Sequence, residues 1–487
     1  MGRKHPARRT VTLAACRRAL LTLRRLEGLV KEDAVVEAQR LSELNDAPER
    51  RGDYVLYWMQ QSQRAVCNPA LETALAAANR LRRPLLVAFA LDDSLPNGKA
   101  RHFAFMLEGL AETAGALVAR DIGFVIRRGV APEVIQPLVR RAALLVCDRG
   151  YLRRQQSWRA QVAREAGCRT LMVEGDVVVP VAVASGTAEV GARTLRPKLA
   201  RCCDSFLRPL RRGRPLISAR SLTVPSDVAL DDVPALVARL HVDQRIAPVS
   251  SFRGGYGEAR RRLRRFLAQH LRDYRDARAL PGDPHTSTLS PYLHFGQISP
   301  VEVALAARAG SGAGAARASF LEELIVRREL AVNFVATTPH YASYECLPAW
   351  ARRTLERHRS DARPRLYDYE QLAAGATHDP YWNAAMCEMR TTGYMHNYMR
   401  MYWGKKVLEW SATPEAGYAT LLQLNNSYFL DGRDASSYAN VGWVFGLHDR
   451  PWPERPVFGQ VRYMNAAGLR RKTDVERYVR RWPCGER

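Results

Sequence analysis

From Tyr54 onward, short apolar runs alternate with stretches whose apolar residues recur at three- and four-residue spacing. The runs Tyr54–Met59, Pro84–Leu91, Gly123–Arg128, Ala142–Cys147 and Thr170–Val173 have the length and composition of buried strands. Between them, Ala70–Leu81 and Phe103–Ala119 carry the helical period. Strands alternating with helices predict βαβ units, and hence a doubly wound parallel sheet covered on both faces. The first strand runs into Gln60-Gln61-Ser62-Gln63-Arg64 instead of GxGxxG. The usual dinucleotide fingerprint is therefore absent, and this half shows no active site of its own.

The pattern then changes. Residues 179–250 hold scattered prolines, among them Pro180, Pro197, Pro209, Pro215, Pro225, Pro234 and Pro248, with no sustained period. They read as a long inter-domain connection. After Phe252 the spacing is helical almost to the end, with long amphipathic stretches at Phe320–Phe334 and Met386–Trp410. The expected organisation is a basic extension (1–50), an α/β domain (51–178), the connection (179–250) and an all-α domain (251–487). Gly310-Ser311-Gly312-Ala313-Gly314 falls between helices, where it predicts a flexible turn and not a phosphate cradle.

Composition narrows the function. At 487 residues, 47% hydrophobic and 25% charged, the chain is an ordinary globular protein long enough for two or three domains. No apolar run reaches the ~18–20 residues needed to cross a bilayer. Nine cysteines without a CxxC pair, one pair being vicinal (Cys202, Cys203), suit neither a disulfide framework nor a zinc site and point to a reducing compartment. The net charge of +25 is carried mostly by arginine, whose fork matches phosphate oxygens. Nucleic acid is the leading partner and an anionic membrane surface the second. Arg3, Lys4, Arg8, Arg9, Arg17, Arg18, Arg24 and Arg25 extend that field at the N-terminus without a secretory h-region. The run Arg260–Arg265 adds field only.

Four groups of residues can carry chemistry. Thr286-Ser287-Thr288-Leu289-Ser290 sets hydroxyls before a helical run, which suits either a diphosphate or a plain N-cap. Trp403 and Trp410 lie seven apart on one helix face, with Trp382 upstream and Arg400 one turn before Trp403. They are either core packing or a chain of redox-active indoles. The loop Leu424–Asp434 is dense in amides and carboxylates able to meet a buried heterocycle or to cap a turn. Glu323, on an apolar face, either pairs with Arg327 at i+4 or is held for a ligand. HxxxH, GxSxG and the P-loop are all missing, so metalloenzyme, hydrolase and kinase readings have no support.

In order and joint spacing, YVLYWMQQSQR (54–64), TSTLSPYLHFGQ (286–297), FLEELIVRRELAVNF (320–334), YMHNYMRMYWGKK (394–406) and NNSYFLDGRD (425–434) resemble the photolyase/cryptochrome family, and within it the class II cyclobutane pyrimidine dimer photolyases. The resemblance implies an N-terminal α/β domain, a helical domain holding folded FAD, and light-driven repair of pyrimidine dimers in UV-damaged DNA. It implies that Tyr274 and Thr286, Ser287, Thr288, Leu289 and Ser290 contact the FAD diphosphate and ribityl chain. Arg400 and Asp431 would form a salt bridge against the isoalloxazine. Asn425 would face flavin N5 and favour the reduced anionic form. Arg327, Asn397 and Arg433 are also assigned to the cofactor. Glu323 would hydrogen-bond the carbonyl edge of the dimer and Trp443 would stack on it, with Arg278, Met401 and Arg462 at the DNA or lesion. Trp403 and Trp382 would carry electrons from the surface, with Trp410 a branch. No metal is implied. An antenna chromophore, deazaflavin or folate, has no signature in the α/β half. The expected protein is a monomer in the cytoplasm, at the nucleoid of a bacterium, with no membrane partner.

Two positions depart from the family pattern. Ala279 stands where class II relatives carry asparagine beside Arg278, and Val326 where class I enzymes place a lesion-stacking tryptophan. The alternative to repair is a flavin photoreceptor of cryptochrome type. A basic nucleic-acid-binding module without cofactor would be colourless, and an absorption spectrum separates it from both.

Overall fold

Aliphatic runs with no polar position on either face can pair only inside a sheet covered twice. In the computed structural model, which describes residues 36–95, 98–283, 285–310 and 314–484, they do so. The basic N-terminal arginines and most of the Gly310–Gly314 stretch lie outside the described residues. Strands β1 (Leu41–Glu43), β2 (Tyr54–Trp58), β3 (Leu85–Leu91), β4 (Gly123–Arg128), β5 (Ala142–Asp148) and β6 (Thr170–Val173) form one sheet in the order β1-β6-β5-β2-β3-β4. Neighbours from β6 to β4 are parallel, and β2, β3 and β5 are buried throughout. The three-residue β1 is an antiparallel edge on β6 that the hydrophobic pattern does not announce.

Helices α1 (Pro69–Leu81), α2 (Ala100–Val118), α3 (Ala131–Val139) and α4 (Arg153–Glu165) cover the sheet. Successive strand residues point to opposite faces. Thus Val55, Tyr57, Val87 and Phe89 pack with α1 and α2, while Leu56, Trp58, Leu86 and Ala88 pack with α3 and α4. The end of β2 lies beside β5, where the strand order reverses and such sheets bind ligand phosphates. Here the backbone N–H groups of Gln60, Gln61 and Ser62 converge on Asp148 Oδ2 at 2.9, 2.8 and 2.8 Å. Arg159 pairs with the other oxygen at 2.6 Å. The anion that this nest of amides would attract is supplied by the chain itself.

The stretch expected as a connection is packed structure. Helix α5 (Ala192–Phe206) sends Leu195, Leu199, Cys203 and Phe206 into a core shared with Phe266 and Phe320. Pro197 inside it, and the charged Arg193, Arg196, Lys198, Arg201 and Asp204, conceal the period. Helix α6 (Val233–Ala238) lies against α2 through Val233, Leu236 and Val237.

The helical half contains α7 (Tyr256–Gln269), α8 (Tyr274–Ala277), α9 (Ser290–His294), α10 (Pro300–Ala309), α11 (Gly314–Leu321), α12 (Arg328–Thr337), α13 (Ala349–Arg357), α14 (Pro380–Thr392), α15 (Asn397–Glu409), α16 (Pro414–Tyr428) and α17 (Ala435–Val444). A π-helical turn, Glu322–Arg327, joins α11 to α12. The expected single helix Met386–Trp410 is two. Gly393 caps α14 at φ 70°, and a Cβ there would stand 2.7 Å from Leu430 Cγ. That break turns the chain so that α15 begins in a new direction.

Candidate active site

Three elements converge on one wall. Helix α15 provides Arg400 and Trp403, the last turn of α16 provides Asn425, and the turn after it provides Asp431 and Arg433. Asn425 and Asn426 were expected in a loop; both are helical, and the loop starts at Phe429. Arg400 meets Asp431 as a two-pronged pair, Nη1 to Oδ1 and Nη2 to Oδ2 both at 3.2 Å. Its Nε donates to the Met395 carbonyl at 2.9 Å, and its guanidinium lies 3.9 Å from the centre of the Phe429 ring. Every donor edge is tied down, so the charge sits at a fixed place. Phe429, two residues before Asp431, is a platform that sequence reasoning missed.

The Asn425 side chain is buried and donates to Asn426 Oδ1 at 3.1 Å, which in turn accepts the Arg433 backbone N–H at 2.9 Å. Burial pushes the Arg433 guanidinium down to about 10, and its Nε finds no partner. Trp403 Nε1 is likewise buried and unpaired. Buried donors are seldom left unpaired unless a bound group takes them.

Behind the wall the indoles form a series. Trp382 stacks on Trp403 with centroids 6.3 Å apart and planes 17° from parallel, and its Nε1 donates to the Trp403 carbonyl at 3.0 Å. Trp410 meets Trp382 at 5.7 Å on the far side. It extends the row beyond Trp382, in contrast to the branch that was expected. Next to it lie Tyr367 and His378, each 5.3 Å from Trp410.

Facing the wall are α8, the hydroxyl loop and the π-turn. Tyr274 packs edge-on against Phe266 and Phe320, and burial pushes its phenol up to about 12. Thr286 Oγ1 reaches Tyr394 Oη at 3.5 Å, and Thr288, at φ 52°, accepts from Arg262 at 3.1 Å. Ser287 and Ser290 are half-buried beside the buried Leu289. Glu323 pairs with Arg278 at 2.6 Å, not with Arg327, and a third of its side chain stays exposed. A π-turn rotates the residues it carries relative to a regular helix, and such turns recur at functional sites. Ala279 is exposed next to that pair, whereas Val326 is buried.

Some expected residues stand apart. Arg327 is exposed and pairs with Glu322 at 3.3 Å. Asn397 is exposed at the first turn of α15. Met401 is half-buried. Trp443, on α17, and Arg462 form a separate cluster in which the guanidinium lies 5.6 Å from the Trp443 ring and pairs with Asp449 at 2.8 Å.

Comparison with known proteins decides what this arrangement belongs to. The profile described as DNA photolyase matches residues 55–215, and that described as FAD binding domain of DNA photolyase matches residues 320–484. The chain belongs to the DNA photolyase family. It is 44% identical to the deoxyribodipyrimidine photo-lyase of Methanothermobacter thermautotrophicus, over 92% of this chain and 98% of that one. The deoxyribodipyrimidine photo-lyase of Arabidopsis thaliana is 39% identical, over 87% and 88%. In fold, the chain is similar to a class III photolyase from Agrobacterium tumefaciens (TM-score 0.69, 20% identity, 90% of this chain and 88% of that one). A cryptochrome from Synechocystis sp. shares the fold too, at TM-score 0.68 and 17% identity over 88% of each chain.

FAD is the cofactor of this family's helical domain. The wall fits it, since a fixed cation, a carboxylate, two amides and two orphaned donors offer partners to a polar heterocycle and its hydroxylated chain. Metal-ligating clusters are absent among the described residues.

Proposed function

We propose that this photolyase splits cyclobutane pyrimidine dimers in UV-damaged DNA under light, with FAD held against the α15–α16 wall and the extruded dimer between Glu323 and Trp443. When bound in its reduced anionic form, FAD supplies the light-excited electron that the dimer takes up and returns. The chain does the rest. Arg400, fixed by Asp431 and Phe429, sets a positive charge where it favours an anionic isoalloxazine. The Asn425 amide would meet the flavin N5 edge, and Arg433 with its free Nε would bind within the same shell. Tyr274 and the hydroxyls of Thr286, Ser287, Thr288 and Ser290 would hold the diphosphate and ribityl chain, with Arg262 adding charge behind Thr288.

The dimer must leave the duplex, and its weakened stacking and pairing lower that cost. Glu323 would take the polar edge of the dimer and Trp443 one of its faces, while Arg278, Met401 and Arg462 line the DNA side. The row Trp403–Trp382–Trp410 would carry electrons inward one at a time from a surface reductant, two being needed to bring bound oxidised flavin to its reduced form. The charge of +25 favours phosphate contacts, so binding weakens steeply with salt. One copy of the chain suffices for every role. For an antenna chromophore, deazaflavin or folate, the sheet's switch point offers no phosphate cradle, because Asp148 fills it. Among the described residues no helix is long and apolar enough to cross a membrane.

The observation that carries the reading is the Arg400–Asp431 pair backed by a continuous row of three indoles. The test is illumination of a thymine-dimer oligonucleotide with purified, reduced protein, followed by chromatography. Restored thymines are expected. An unchanged dimer, with flavin bound and DNA binding intact, would end the proposal.

A further inference from the structure

Lys405 lies on α15 two residues past Trp403 and is fully buried. Its Nζ donates to the carbonyl of Val444, the last residue of α17. Last-turn carbonyls lack intrahelical partners and carry the negative end of the helix dipole, so a cation there is favoured. The same ammonium stands 4.8 Å from the centre of the Trp443 ring, within cation–π range. Trp443 itself is only partly buried.

Among the described residues no carboxylate pairs with Lys405. The charged groups that reach it are Asp449 and Arg462, from the loop after α17, and they are bound to each other at 2.8 Å. On its own helix, Lys406 pairs with Glu409 and leaves Lys405 alone. A buried ammonium without a counter-charge is costly, and an apolar side chain of the same length would pack there at lower cost. The cation is therefore accounted for by what it holds: one helix end and one indole face.

We infer that Lys405 is a positioning residue for the lesion, fixing the plane of Trp443 together with Arg462, whose guanidinium lies 5.6 Å from the same ring, so that the indole is ready to stack on the extruded dimer. This rests on the proposed lesion site. Burial pushes the amine down to about 7, so the cation–π hold weakens on the alkaline side of neutrality. Asp449 is held below the usual carboxylate range by Arg462 despite its burial, so it stays charged over that interval.

Dark binding of the flavin-loaded protein to a dimer-containing oligonucleotide and to its undamaged twin provides the readout. Lys405→Met is expected to lower the ratio of the two affinities about five- to tenfold while binding to undamaged DNA stays the same. In the wild type, the ratio is expected to fall as pH rises from about 6 to about 8.5, and in Lys405→Met to be flat. An unchanged ratio in the variant, or a flat profile in the wild type, overturns the inference. Should Lys405→Met fail to fold, the wild-type profile decides alone. A wild type that prefers neither oligonucleotide at any pH instead overturns the lesion site, and the inference with it.

Discussion

Trp382 is the indole on which the other two depend. It stacks on Trp403 on one side and touches Trp410 on the other, so its removal opens the row in the middle. Trp382→Phe also loses the hydrogen bond to the Trp403 carbonyl, a cost of about 1–2 kcal/mol. Photoreduction of oxidised flavin is expected to slow sharply in this variant, while chemically pre-reduced protein repairs dimers as before. Equal loss of both would remove the row from the electron route. Glu323 makes the opposite prediction. Its pair with Arg278 is a third exposed, so Glu323→Ala costs only about 0–1 kcal/mol of stability. Repair yield at saturating DNA is expected to fall while flavin content holds, and loss of flavin instead would move Glu323 into the cofactor shell. That Glu323 chose Arg278 over Arg327 follows from the π-turn, which breaks the i,i+4 register on which the pairing with Arg327 depended.

At the scale of elements, the parallel strands and the order of the motifs were legible, because fully apolar runs and quoted side chains both survive in one dimension. What escaped was set by the third. β1 is three residues long and gains strand character only by pairing with β6. The helix α5 hides its apolar stripe behind Pro197 and many charges. Of the site, the Arg400–Asp431 pair and the three indoles were readable as residues, but their serial order was not, since Trp382 and Trp410 meet only through tertiary packing. A clasp at the end of α13 was unreadable for the same reason. His358 presents Nδ1 to Asp361 at 2.6 Å and Nε2 to Glu454 at 2.8 Å, so both ring nitrogens must donate and the imidazolium is the form that fits. Glu454 first, then Asp361, raises its folded pKa above the ordinary 6.5. A raised histidine stabilises fully below the unfolded pKa and ceases to do so as pH climbs through the folded value. Thermal unfolding from about pH 6 to about pH 8.5 is therefore expected to show a loss in the wild type that His358→Gln lacks. Parallel curves for the two proteins would show that the clasp adds nothing.

Across the whole molecule, the α/β half does its work by finishing helices that belong to the other half. Arg101, on α2, donates to the carbonyls of Met389 and Arg390 in the last turn of α14, at 3.2 and 2.8 Å, and of Tyr428 at the end of α16, at 2.8 Å. Its neighbour His102 meets the Phe429 carbonyl at 2.9 Å. Burial pushes the Arg101 guanidinium down to about 10, which leaves it charged at neutral pH, where the negative ends of two helix dipoles favour it. The helices so capped carry Trp382 and Asn425, and the turn that Phe429 opens carries Asp431. One arginine outside the helical domain thus fixes the ends from which the wall is built. Arg101→Met would strand the Arg390 and Tyr428 carbonyls, while that of Met389 keeps the Gly393 N–H, and is expected to lower the unfolding free energy by about 2–4 kcal/mol. An exposed pair such as Arg141–Asp53 is expected to contribute only about 0–1 kcal/mol when broken. Because the Tyr428 carbonyl lies between Asn425 and Asp431 along the chain, flavin is expected to leave Arg101→Met faster than wild type well below the unfolding temperature, as followed by the fluorescence of the released flavin. Retention equal to wild type, alongside the lost stability, would mean that the α/β half supports the helices without shaping the cofactor wall.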